Sequence, residues 1–174
     1  MSWYVMRTVP GREEKAAELL EKKVDRRLWK NCRILKKQQL FRINGKYVIN
    51  RKELFPGYLF VETGSPERLA EELERSREFP KLLGETRAGV ARVEDDDLRF
   101  LRNACGDSLE KDMELSTVQV DEEGQLRDAA GMLKSYLPNV VRQRLRQRYV
   151  IARVPLFNRM EEVLFGIRLE EDEV

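Results

Sequence analysis

The 174-residue sequence contains no histidine. Ser-His and Cys-His nucleophilic machinery is therefore excluded, and so are His-ligated zinc centres. Cysteine is scarce as well: Cys32 and Cys105 stand alone, without the paired spacing of a zinc site or the density of a disulfide scaffold, and read as two reduced thiols. No apolar run approaches the ~20 residues that a membrane-spanning helix needs. The opening MSWYVMRTVPGREE is too short and too quickly charged for a signal peptide. The expectation is a cytoplasmic protein without cofactor or membrane contact, and the length suits one or two small domains.

What is present is charge, at 37% of residues with a net charge of only +2. Its distribution says more than its sum. Between Lys22 and Lys52 twelve cations face a single acid, Asp25, and RQRLRQR gathers Arg142, Arg144, Arg146 and Arg148 later in the chain. Acids collect elsewhere, around Glu67 to Glu78, Asp107 to Glu123 and the tail EEDEV. Such segregation is what a polyanion-binding face needs, because each neutralised phosphate releases counterions. A solvated charged surface accounts for either cluster equally well. The acidic run Glu94 to Asp97 is the one place where a magnesium-dependent nuclease can be imagined, on Asp95 and Asp97. Acids just ahead of Leu98 and Leu101 are, however, what a helix N-terminus prefers.

Along the chain, WYVMRTV reads as a strand ended by Pro10-Gly11. Residues 12–29 read as a helix, with Ala16, Leu19, Leu20, Val24 and Leu28 on one face. CRILKKQQLFRINGKYVINRK predicts a strand and then a hairpin turning at Asn44-Gly45. In ELFPGYLFVE both faces of a strand are apolar, and Pro56 cannot donate to a sheet ladder, so Phe55-Pro56-Gly57 belongs at the strand's beginning or at an edge. Phe55 and Tyr58 then serve either as core or as a rigid rim for a partner. SPERLAEELERSREF predicts a second helix capped by Ser65, PKLLG and GVARV short extended pieces, and DDDLRFLRNAC a third helix. After a linker-like acidic run, RYVIARVPLF and EEVLFGIRL are strand-like, with at most a short helix near GMLKSYL. The order predicts an α+β domain with an antiparallel sheet, followed by a small β domain.

WYVMRTVPGREEKA, ELFPGYLFVE and KLLG together resemble the N-terminal domain of the NusG family of transcription elongation factors, and most of all its specialised paralogues called LoaP. The residues from GMLKSYL through LFNRMEEVLFGI resemble the KOW motif of the family's C-terminal SH3-like barrel. The resemblance implies residues 1–106 as the N-terminal domain, 107–119 as linker and 120–174 as the KOW-like domain. It also implies a non-enzymatic, monomeric antitermination factor. The first domain would dock on the clamp helices of bacterial RNA polymerase through Phe55, Pro56 and Tyr58, with Leu98 and Leu101 as neighbours. Nucleic acid, as a nascent RNA hairpin or non-template DNA, would meet Arg33, Lys36, Lys37, Arg42 and Lys46 in the first domain. Arg142, Arg144, Arg146 and Arg148 would meet it in the second. A ribosomal protein or Rho is the partner expected for the KOW domain. Gly131, Leu133 and Lys134 match the family's pattern there; Met132, Ser135 and Pro138 do not, and Asn158 replaces a glycine, which predicts a modified loop or barrel. An RNA-binding module of the ribosome or of RNA processing, indifferent to polymerase, is the alternative.

Overall fold

The computed structural model describes residues 1–78 and 90–174. Backbone contacts divide the chain into two compact units, one of Met1–Leu35 with Phe55–Asp95, the other of Lys36–Leu54 with Asp96–Val174. Among the described residues, no helix is long and apolar enough to cross a membrane.

In the first unit, β1 (Ser2–Arg7) lies between β5 (Tyr58–Thr63) and β6 (Val90–Arg92), with β2 (Asn31–Arg33) outside β5, and every pairing is antiparallel. The helices are α1 (Glu13–Lys23) and α2 (Pro66–Arg75). Met6, Leu59 and Val61 of the sheet join Ala16, Leu19 and Leu20 of α1 and Leu69 and Leu73 of α2 in one core. Burying each large aliphatic side chain there contributes roughly 1.5–3 kcal/mol.

Helix α1 stops at Lys23 instead of running to Trp29. Val24 is extended, and the Asp25 carboxylate accepts the Arg27 amide at 2.9 Å, starting a separate 3-10 turn at Arg26–Leu28. Leu28 and Trp29 still reach the core from that turn. Ser65 precedes α2 as expected but its hydroxyl makes no capping bond; its amide instead donates to the Thr63 hydroxyl at 2.9 Å. Helix α2 ends at Arg75, short of the expected run to Phe79, because Ser76 turns extended and its amide closes on the Leu73 carbonyl; Phe79, the PKLLG piece and Gly89 of GVARV lie outside the described residues.

In the second unit, β3 (Lys36–Ile43) and β4 (Lys46–Glu53) form the expected hairpin, with Asn44 and Gly45 at φ +52° and +78°. Two consecutive positive φ values define the turn that matches strand twist, which is why Asn-Gly marks it. Helix α3 (Asp95–Cys105) precedes a curled sheet ordered β8-β7-β11-β10-β9, with β7 Ser116–Val120, β8 Leu126–Ala129, β9 Val140–Arg144, β10 Tyr149–Leu156 and β11 Arg159–Leu169. Only the β7–β11 pairing is parallel. Val150, Ala152, Val154 and Leu156 alternate inward on β10 and meet Val163, Phe165 and Ile167 of β11. GMLKSYL is indeed helical, as a 3-10 segment over Met132–Asn139 whose Tyr136 ring stacks on Phe165 and meets Phe100 of α3 edge-on.

The turn lacking the family's glycine stays tight: Leu156 pairs with Arg159, and Phe157 and Asn158 take φ +57° and +62°. Asparagine tolerates this region and phenylalanine does so at a cost. The Phe157 amide is held by the Asp97 carboxylate at 3.2 Å. Gly166 is placed where β11 crosses β3, and a Cβ there would overlap the Gln38 carbonyl oxygen.

Candidate docking turn and basic surfaces

Phe55-Pro56-Gly57-Tyr58 is a β-turn closed by the Tyr58 amide donating to the Phe55 carbonyl at 3.1 Å. Proline presets φ at its second position, and glycine supplies the φ of +85° at its third. That is the type II arrangement, and it starts β5 without asking Pro56 for a ladder hydrogen bond. A Cβ on Gly57 would lie 2.7 Å from the Thr8 carbonyl oxygen, so the position admits glycine on two counts.

Both backbone groups of Gly57 are engaged. Its carbonyl accepts the Thr8 amide at 2.7 Å, and its amide donates to Glu13 Oε2 at 3.2 Å. The other Glu13 oxygen accepts the Gly11 amide at 2.5 Å. Nothing in the sequence marked Glu13; the only available signal was a carboxylate two residues after a Pro-Gly pair.

The turn stacks Phe55 on Tyr58, with centroids 6.0 Å apart and planes 20° apart, and Phe60 tilts against both. Arg7 donates to the Tyr58 hydroxyl at 3.0 Å and its guanidinium carbon lies 5.1 Å from the ring centroid. Phe55 is buried at 7% exposure, Tyr58 is half-buried and Pro56 is exposed. Core and rim are therefore not exclusive roles: Phe55 sits inward as a support, and Tyr58 offers its outer surface beside Pro56. Leu98 is half-buried on α3 and Leu101 is completely buried.

The first basic cluster is heterogeneous. Arg33 is half-buried on β2, and Lys36 pairs with Glu53 at 2.9 Å. Lys37 is buried at 6% exposure, and burial brings its ammonium down to about 8 despite the opposing pull of Glu53. Of the five candidates expected to meet nucleic acid, Arg42 and Lys46, beside the hairpin turn, are the exposed ones, with Arg42 5.6 Å from the Tyr47 ring centroid.

The second cluster separates cleanly. Arg142, Arg144 and Arg146 are exposed, and residues 140–147 with Gly124 and Gln125 line an open groove of about 790 Å³. Arg142 and Arg144 are two apart on β9 and so share a face. Arg148 differs from the expectation: its guanidinium is committed to Asp172 by two 2.8 Å bonds and to the Leu145 carbonyl at 2.5 Å, and it stacks 4.7 Å from the Tyr47 centroid. It is a fastening, while the other three arginines present charge to solvent.

Of the two acids imagined as metal ligands, Asp97 accepts from the Phe157 amide, and the intervening Asp96 pairs with Arg99 at 3.3 Å. Among the described residues, no group of three or more Cys, Asp or Glu is placed to hold a metal ion.

Comparison with known proteins gives a consistent result. The family described as "Transcription termination factor nusG" matches residues 1–102. The "Transcription termination/antitermination protein NusG" of Thermus thermophilus is 28% identical, with 91% of each chain covered. Among solved structures, that titled "Domain interaction in Thermotoga maritima NusG" is similar at a TM-score of 0.50 and 21% identity, covering 95% of this chain and 93% of that one, a likeness of fold. With more than half of its residues matching the family and an α+β domain and curled C-terminal sheet of the corresponding kind, the chain belongs to the NusG family of transcription termination and antitermination factors.

Proposed function

We propose that this family member acts by docking on the clamp helices of bacterial RNA polymerase through the Phe55-Pro56-Gly57-Tyr58 turn and suppressing pausing or termination. The observation that carries the reading is the turn itself: two stacked rings on a backbone locked at both ends. Rigid aromatics anchor interfaces well because they bury much area for few lost rotamers. A factor that prefers the closed, processive polymerase shifts the equilibrium toward it by its differential affinity. No catalytic chemistry is needed. Tyr58 and Pro56 make the contact directly and Phe55 backs them. Leu98 and Leu101 on α3 stay further candidates for polymerase contact, and Leu98, half-buried where Leu101 is completely buried, is the more accessible of the two.

We assign the operon-specific role of the LoaP paralogues to this chain as part of the same proposal, with nucleic acid held by Arg142, Arg144 and Arg146 and by Arg42 and Lys46. A nascent RNA hairpin is the favoured ligand, and non-template DNA the second. The division into a first domain at 1–106, a linker at 107–119 and a KOW-like domain at 120–174, with a ribosomal protein or Rho as the latter's partner, belongs to this proposal as well.

The test is binding to purified bacterial RNA polymerase by the wild type and by Phe55→Ala/Tyr58→Ala, with circular dichroism on both. Micromolar or tighter binding that the folded variant loses supports the reading. A folded wild type that binds RNA but ignores polymerase would instead make it a free-standing RNA-binding module.

A further inference from the structure

We propose that Glu13 is the positioning residue of the aromatic docking turn, its buried carboxylate tying the Pro10-Gly11 and Pro56-Gly57 turns together. The functional half of this inference rests on the polymerase-docking reading; the structural half does not.

A glutamate only 3% exposed needs partners, since an ionised carboxylate removed from water is costly. Glu13 finds them in two backbone amides from segments far apart in sequence, Gly11 at 2.5 Å and Gly57 at 3.2 Å, one for each oxygen. Both glycines have positive φ, +93° and +85°. Amides turned this way leave the strand ladder, and a buried one must be satisfied by something else. Glu13 also stands in the first turn of α1, where the helix dipole favours a negative charge. One side chain therefore joins the start of α1 to the start of β5.

The consequence reaches the rings. Gly57 is the pivot between Phe55 and Tyr58, and with its carbonyl held by Thr8 and its amide by Glu13 it keeps the two rings stacked. The chemistry demands glutamate. Aspartate is one methylene short of spanning both amides, and glutamine offers one acceptor oxygen while turning an NH2 group toward a backbone N–H. Loss of the tie leaves the turn's residues in place but not their geometry, and an interface that has to order a loose turn on binding is weakened by that ordering.

The experiment measures amide hydrogen exchange by NMR together with affinity for purified bacterial RNA polymerase, for the wild type and Glu13→Gln. In the wild type, the Gly11 and Gly57 amides should exchange about tenfold or more slowly than that of the exposed turn glycine Gly45. In Glu13→Gln they should approach the Gly45 rate while Val5 and Leu59, on β1 and β5, stay protected. Polymerase affinity should fall by about tenfold, the scale of one charge-assisted hydrogen bond. A local loss of protection with intact strands separates positioning from general destabilisation. Where Glu13→Gln does not fold, Glu13→Asp, which keeps the charge, should show the same local loosening.

Wild-type Gly57 exchanging as fast as Gly45 would overturn the tie. Wild-type-like polymerase affinity in a loosened Glu13→Gln would overturn its role in docking. Protected amides in a wild type that does not bind polymerase would overturn the docking reading and leave the tie standing.

Discussion

The Arg148 guanidinium and the Asp172 carboxylate form a two-pronged ion pair, 2.8 Å at both contacts, with side chains 11% and 4% exposed. Burial alone would raise the Asp172 carboxyl; the Arg148 hydrogen bonds, the Leu169 amide and the nearby Arg148 and Arg168 charges outweigh it and hold the group below its ordinary value. A depressed folded value means that the pair's stabilisation is complete above the unfolded value, about 4, and is lost as pH falls below that through the folded value. Asp172→Ala should cost about 3 kcal/mol at pH 7. Thermal melts of both proteins should differ clearly at pH 7 and converge as the pH is taken below about 4. A gap that persists unchanged into acid would show that the carboxylate's charge is not what stabilises.

Gly166→Ala puts a methyl group into the backbone of β3 at Gln38. A flexible side chain could yield, but a strand carbonyl does so only by shifting the strand. The expected loss is about 3 kcal/mol, at the upper end for overpacking, read from the midpoint of urea denaturation. Substitution of Gly124, which has open space around its Cβ position but φ of +77°, should cost less and provides the control.

Arg142→Ala, Arg144→Ala and Arg146→Ala should each weaken RNA binding and lower the slope of log affinity against log salt by about 0.7–0.9 if the arginine meets a phosphate. Arg148→Ala should instead lower the melting temperature, because it leaves Asp172 buried without its cation. Equal salt slopes across the three exposed variants and the wild type would remove the groove as a polyanion site.

Cys105 is fully buried, and burial together with the charges of Asp112 and Glu110 pushes its thiol up to about 12. Nucleophilic thiolate is therefore nearly absent at neutral pH. In a Cys32→Ser background, an aromatic disulfide reagent at pH 8 should leave the folded protein unmodified over hours and react within minutes once denaturant is added.

Features set by neighbouring residues were legible before any coordinates. Asn44-Gly45 demanded two positive φ values and Pro56 a place at the beginning or the edge of a strand, because both requirements belong to the residues themselves. The end of α1 was less so: Val24 and Leu28 keep a helical spacing, yet Asp25 captures the Arg27 amide and restarts the chain as a 3-10 turn. Least legible were the ties between distant segments. Glu13 and Gly57 lie 44 residues apart, and Asp172, in the acidic tail, is the anchor of Arg148. Charge alone could not divide RQRLRQR into three exposed arginines and one fastened one, since that distinction depends on a partner 24 residues away.

The crossing of β3 and β11 at Gly166 also sets an order of events during synthesis. The hairpin 36–54 leaves the ribosome early, but β11, against which Gln38 packs, is made much later. At roughly 5–20 residues per second of elongation, the hairpin waits seconds for β11. A nascent chain arrested before β11 would expose β3 to chaperones or to a neighbouring hairpin of the same kind, so this unit matures only after translation has passed β11.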